Sequence, residues 1–307
     1  MRKRRAVILI LLASLMLTAC SDSGGGAELA GKSYELPQTY SDRAELALRP
    51  EAPGLLREEW DEGWLDSSNT GDGYIVLCCS EGEERMKVQM AGPEGSYTYD
   101  LPRGEEAVLP LSQGEGHYQV SVFENAGGSK YALVLSCEFE AELKSEFEPF
   151  LRPNIYVDYE KAPVSVAMAE KLAEGAEGTL AQVAEIYEFV TSYIDYDNEL
   201  AASVQSGYVP VLDETISSRK GICFDYASLM AGMLRSLGIP TKLVMGYAGD
   251  AYHAWISVWC EEEGWIDKVV SFDGKTWTRM DPTMASAGSS NNDFISDDSN
   301  YVEKSFY

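Results

Sequence analysis

From residue 74 onward the apolar positions come in short bursts. The segments 74–78, 87–90, 96–99, 106–109, 118–123 and 131–135 are rich in Val, Tyr, Leu and Ile, and clusters of Gly, Pro, Asn and Glu separate them. Val88 with Met90, and Val120 with Val122, alternate with polar neighbours, the period-two pattern of a half-buried strand. Short strands at regular turns predict a small antiparallel β-sandwich over 71–143. The preceding stretch, 20–70, is mixed and acidic and contains Pro37, Pro50 and Pro53. It reads as a tether and an irregular lead-in, with a short helix over 55–60.

Beyond residue 150 the period becomes helical. One helix is predicted over 163–173, with Pro163 in its first turn. A second follows Thr179-Leu180-Ala181-Gln182, which fits a capping box, and places Val183, Ile186, Tyr187 and Val190 on one face. A third covers 221–237, with Ala227, Met230, Leu234 and Leu237 at helical spacing; Gly238 stops it and Pro240 bars continuation. Strand candidates follow at 241–247, 253–259 and 276–280. Helices followed by strands, without βαβ alternation, predict an α+β domain over 150–285. The Ser/Asn/Asp-rich stretch 286–307 reads as a polar tail, and no internal repeat is visible.

The first residues carry a different signal. Arg2, Lys3, Arg4 and Arg5 precede an apolar run, 6–17, that is too short to span a bilayer. It ends in Leu17-Thr18-Ala19-Cys20, which resembles a bacterial lipobox. That resemblance implies removal of 1–19 as a signal peptide and acylation of Cys20, leaving the chain on the extracytoplasmic face of the cell membrane, held by its lipid anchor. Residues 1–19 hold four of the 24 basic residues and none of the 50 acidic ones, so the remainder has 20 against 50, a net charge of −30. Such a surface argues against nucleic acid as a partner and against electrostatic docking on anionic lipid.

Six cysteines are present. Besides Cys20 and Cys223, there are Cys78, Cys79, Cys137 and Cys260. Export permits disulfides, yet these four allow three full pairings, and buried free thiols fit equally well. With two histidines in the chain, a His-rich metal site is excluded.

One constellation points to chemistry. Gly221-Ile222-Cys223 puts a thiol at the start of the third helix. His253-Ala254-Trp255 follows 30 residues later, and Met280-Asp281-Pro282 another 28. A thiol pKa of about 8.5 falls to roughly 3.5–7.5 at a helix N-terminus or beside His⁺. The unpaired N–H groups there can also hold an oxyanion. Gly221 would leave room for a substrate backbone. His253 would serve as base, Asp281 would accept its other ring N–H, and Trp255 would wall the cleft. His117, at a Gly-rich turn, reads as a surface residue.

Taken together, these residues resemble the transglutaminase-like superfamily. The run Cys-Phe-Asp-Tyr-Ala-Ser-Leu-Met-Ala-Gly-Met-Leu-Arg-Ser-Leu-Gly-Ile-Pro-Thr-Lys-Leu-Val-Met-Gly from Cys223 to Gly246, with His253-Ala254-Trp255 and 277–283, carries the likeness; Glu188-Phe189-Val190 through Ile194-Asp195-Tyr196-Asp197 extends it upstream. The resemblance covers 160–285 and leaves out the sandwich. It implies a papain-like core, a cysteine helix on a small antiparallel sheet, with Cys223 as nucleophile, His253 as general base and acid, and Asp281 as the orienting residue. Tyr196 or Tyr193 would be the aromatic member of the oxyanion site. One departure is Ile256-Ser257-Val258, where many relatives carry an acidic residue or Asn. The activity implied is thioester formation on a peptide or carboxamide bond of a cell-surface peptide or protein, with no cofactor. Hydrolysis or deamidation is slightly favoured over amine cross-linking. The alternative is an idle module of the same fold that binds cell-surface peptides or glycans.

Overall fold

The computed structural model describes residues 32–37, 48–261, 263–267, 270–272, 277–279 and 301–307. Cys20 and Asp281 lie outside the described residues.

Eight strands build the sandwich: β1 (Arg57–Trp60), β2 (Gly63–Asp66), β3 (Tyr74–Cys79), β4 (Met86–Gly92), β5 (Gly95–Leu101), β6 (Glu106–Pro110), β7 (Gly116–Asn125) and β8 (Tyr131–Ala141). They form two antiparallel sheets, ordered β1-β2-β3-β6 and β5-β4-β7-β8. The alternation seen in the sequence sets the faces. Val88, Met90, Val120 and Val122 point inward, and meet Leu65, Ile75, Leu77 and Leu109 of the other sheet in one core. The stretch 55–60 is not helical. Arg57, Glu58 and Glu59 form a charged outer strand that pairs with β2, so pairing overrides the helix preference of Leu, Arg and Glu.

The second half holds α1 (Pro163–Ala173), α2 (Thr179–Tyr193), β9 (Asp195–Tyr196), α3 (Asn198–Ser203), α4 (Leu212–Ser218), β10 (Lys220–Gly221) and α5 (Cys223–Ser236). Then come β11 (Thr241–Ala248), β12 (Ala251–Cys260), β13 (Gly264–Asp267), β14 (Val270–Phe272), β15 (Trp277–Arg279) and β16 (Tyr301–Phe306). This is the expected α+β arrangement, an antiparallel sheet ordered β13-β12-β11-β16 with α5 against it. Ala254, Ile256 and Val258 of β12 share a core with Ala227, Met230 and Leu234 of α5. Gly238 ends α5 with φ of 79°, and its N–H and that of Ile239 bond back to Arg235 and Leu234. The capping box at Thr179 is absent, because Gly178 holds the N-cap position and Thr179 is already helical.

The polar tail also differs from expectation at its end. Residues 301–306 return as β16 and pair antiparallel with β11. Arg235, 2% exposed, fixes this return: its guanidinium donates to the carbonyls of Thr241 (2.9 Å), Arg152 (2.8 Å) and Tyr307 (2.6 Å). Residues 34–307 form one compact unit. Tyr99 of the sandwich stacks on Tyr156 at 6.0 Å, Tyr156 meets Phe224 at 5.4 Å, and Tyr307 packs on both Tyr97 and Tyr99.

Candidate active site

Cys223 is the first residue of α5, half-buried, with Ile222 as the extended N-cap residue. The carboxyl group of Asp225 fastens this helix start. It accepts the Ile222 N–H at 2.8 Å and the Tyr208 hydroxyl at 2.7 Å. Burial nevertheless pushes the Asp225 pKa up, its hydrogen bonds offsetting only part of the cost. Gly221 makes room for this carboxylate: a Cβ there would lie 2.6 Å from the Asp225 Cβ. The chain arrives through Arg219, which, among the described residues, is the one non-glycine with positive φ (58°).

Tyr196 reaches the site through backbone pairing. The parallel bridge β9–β10 sets it opposite Gly221, and the Asp197 N–H bonds to the Gly221 carbonyl at 2.9 Å. The oxyanion candidate is thus tied two residues upstream of the nucleophile.

His253 is buried on β12, opposite Gly246 of β11. Trp255 is 2% exposed and lies nearly parallel to the imidazole, with centroids 6.3 Å apart and planes at 29°. It backs the histidine and is not among the described residues that line the cleft. Tyr301 of β16 packs edge-on to its other side at 5.4 Å. Gly246 makes this possible, since a Cβ there would come within 2.8 Å of the indole and run into the Val302 carbonyl. Fully burying a large apolar side chain contributes about 1.5–3 kcal/mol, so the indole is also a structural anchor.

Cys223, His253 and Tyr196 line one cleft of about 540 Å³. Tyr156, Tyr208, Phe224, Tyr252 and Tyr307 make much of its wall aromatic, and the sandwich contributes Thr98 and Asp100. Burial and the neighbouring Tyr247 and Cys223 side chains push the Tyr252 phenol up, so it remains a neutral donor. Sequence reasoning missed these wall residues. Asp225 had a signal, being an acid three residues after the N-cap position, and Tyr252 directly precedes His253. Thr98 and Asp100 had none.

The other cysteines stay apart from this chemistry. Among the described residues Cys78, Cys79, Cys137 and Cys260 form no disulfide, and burial pushes Cys79 and Cys137 up to about 11. His117 is a surface residue on β7, where it meets Glu140 at 2.9 Å. Among the described residues no three His, Cys, Asp or Glu side chains converge on a metal position. No described helix is long and apolar enough to cross a membrane.

The sequence of 166–282 matches the family model of the transglutaminase-like superfamily. The chain is similar to a protein-glutamine gamma-glutamyltransferase of Pseudomonas aeruginosa, 30% identical over 144 residues, covering 41% of this chain and 21% of that protein. It thus spans about a fifth of that relative's length. Among solved structures it is similar to a candidate cysteine protease from Cytophaga hutchinsonii, with 14% identity, TM-score 0.39, and 76% of this chain and 83% of that one covered. It is also similar to the periplasmic domain of TgpA from Pseudomonas aeruginosa, with 16% identity, TM-score 0.36, and 71% and 94% covered. Residues 166–282, which hold the cysteine helix and the histidine strand, are thus a segment of the transglutaminase-like superfamily.

Proposed function

We propose that this chain is an exported, lipid-anchored cysteine enzyme that forms a thioester at Cys223 from a peptide or carboxamide bond. The observation that carries the proposal is one cleft holding a thiol at a helix N-terminus, a buried histidine and a tyrosine tied beside the thiol. In the reaction the Cys223 sulfur adds to the carbonyl carbon as His253 takes the thiol proton. The oxyanion lies at the amides of the first turn of α5 with the Tyr196 hydroxyl, and the leaving amine takes the proton from His253. Asp281 orients the imidazole. Water then releases the acyl group, giving hydrolysis or deamidation, and an amine would instead give a cross-link. The relative's name, a protein-glutamine gamma-glutamyltransferase, supports glutamine as an acyl source. The lipobox at Cys20 supports a cell-surface location. The tyrosines around the cleft favour a second reading, a module that holds surface peptides or glycans without turning them over.

Incubating the protein with a peptide library and identifying adducts on Cys223 by mass spectrometry separates these readings. A thioester that vanishes in Cys223→Ala and slows by about 10²–10⁴ in His253→Ala is expected. No adduct, together with a Cys223 that alkylates no faster than a free thiol, would leave the binding module.

A further inference from the structure

The sandwich enters the cleft through β5, the outermost strand of its sheet. Which backbone groups of β5 are open follows from the register. The Asn125 N–H bonds to the Arg85 carbonyl at 2.9 Å, which makes that pair a hydrogen-bonded one. Hydrogen-bonded and non-bonded pairs alternate along an antiparallel ladder. Lys87, Gln89 and Ala91 therefore turn their N–H and C=O groups to β7, and Met86, Val88 and Met90 turn theirs to β5. Their partners Leu101, Tyr99 and Tyr97 face back. The N–H and C=O groups of Ser96, Thr98 and Asp100 point away from the sheet, where no strand among the described residues adjoins β5. The side chains of Thr98 and Asp100 line the cleft that holds Cys223.

This edge lacks the protection its counterparts have. The outer strands β1, β8 and β16 carry Glu58 and Glu59, Glu138 and Glu140, and Glu303 and Lys304. From Gly95 to Tyr99 β5 has no charge and no proline. Its far end is closed: Arg85 binds Asp100 at 2.7 Å and the Ser206 carbonyl at 3.4 Å, tying the rim of the cleft to the strand.

We propose that the open edge of β5 receives the polypeptide substrate as an added antiparallel or parallel strand, so that Ser96 and Thr98 hold its backbone while the acyl carbonyl reaches Cys223. This rests on the reading of the cleft as a peptide site and adds that the substrate is an extended polypeptide, held by its backbone on a domain outside the matched family segment.

The test uses a pool of proline-free dodecapeptides and a second pool whose backbone is N-methylated at alternate residues. In Cys223→Ala protein, the first pool should slow amide hydrogen exchange at Ser96 and Thr98 by at least about tenfold, the worth of one or two backbone hydrogen bonds, and the methylated pool should not. Thr98→Pro removes an outward N–H without touching the bonds to β4. Acyl capture by Thr98→Pro, divided by its own iodoacetamide alkylation rate, should fall about tenfold against wild type, with Thr98→Ser near wild type. Unchanged exchange at these two amides, or equal protection by the methylated pool, overturns the proposal. Protection without any thioester on wild-type Cys223 keeps the edge and removes the catalytic reading.

Discussion

One methyl group at Gly221 would disturb the start of the nucleophile's helix, because the added Cβ meets Asp225 at 2.6 Å. Gly221→Ala should cost about 1–3 kcal/mol in urea unfolding and slow thioester formation, since the capped first turn must shift. An unchanged midpoint would show that Asp225 does not need the space. Asp225 also ties stability to pH. Its folded pKa is raised above the ordinary 3.8, so the stability it lends is whole below about pH 4 and is lost as pH rises through the folded value. Asp225→Asn does not titrate, so its stability relative to wild type should improve as pH climbs from 4 toward 7. A difference that stays flat across that range would contradict the assignment. Tyr99 offers a contrast, as its hydroxyl is buried with no hydrogen-bond partner among the described residues. Tyr99→Phe should leave stability equal or raise it by about 1 kcal/mol, read as a denaturation midpoint.

Among the elements, β16 is tied to the rest of the fold at its end by one buried side chain, Arg235. Burial pushes Arg235 down to about 9, and its hydrogen-bond partners are backbone carbonyls at 152, 241 and 307. Arg235→Met would remove the charge and the guanidinium donors to all three carbonyls, of which Tyr307 would keep the Leu243 N–H. A loss of at least about 3 kcal/mol is expected, with faster amide exchange across β16. A midpoint within error of wild type would mean that β16 holds without the clamp. This element also marks where the sequence stopped being readable. The strands β3 to β8 announce themselves by alternation, and α1 and α5 by Pro163 and Gly238, because those signals are local. The strand β16 follows a Ser/Asn/Asp-rich stretch and is specified by its pairing with β11, while β1 has a helix-like composition and is specified by β2. The same division runs through the site. Cys223 and His253 were legible as residue types in order. Thr98 and Asp100 carry no motif and come to the cleft through contacts more than a hundred residues apart in sequence.

At the scale of the molecule, the sandwich and the family domain share one interior. Tyr99 of β5, Tyr156 ahead of α1 and Phe224 beside the nucleophile form a continuous aromatic line, and Tyr307 closes it from the end of β16. Aromatic side chains bury large areas, so separating the two parts would expose this line together with one wall of the cleft. Chains of this length usually divide into independently stable domains. A shared core and a single compact unit over 34–307 argue for one cooperative block instead. Calorimetry should accordingly show a single transition, coincident with loss of near-ultraviolet tyrosine dichroism and of the fast thiol reaction at Cys223. A fragment comprising residues 150–307 should fail to fold as a soluble monomer and should form no thioester. Two resolved transitions, or a fragment that acylates at the full-length rate, would show the sandwich to be an attachment instead of a structural half of the active site.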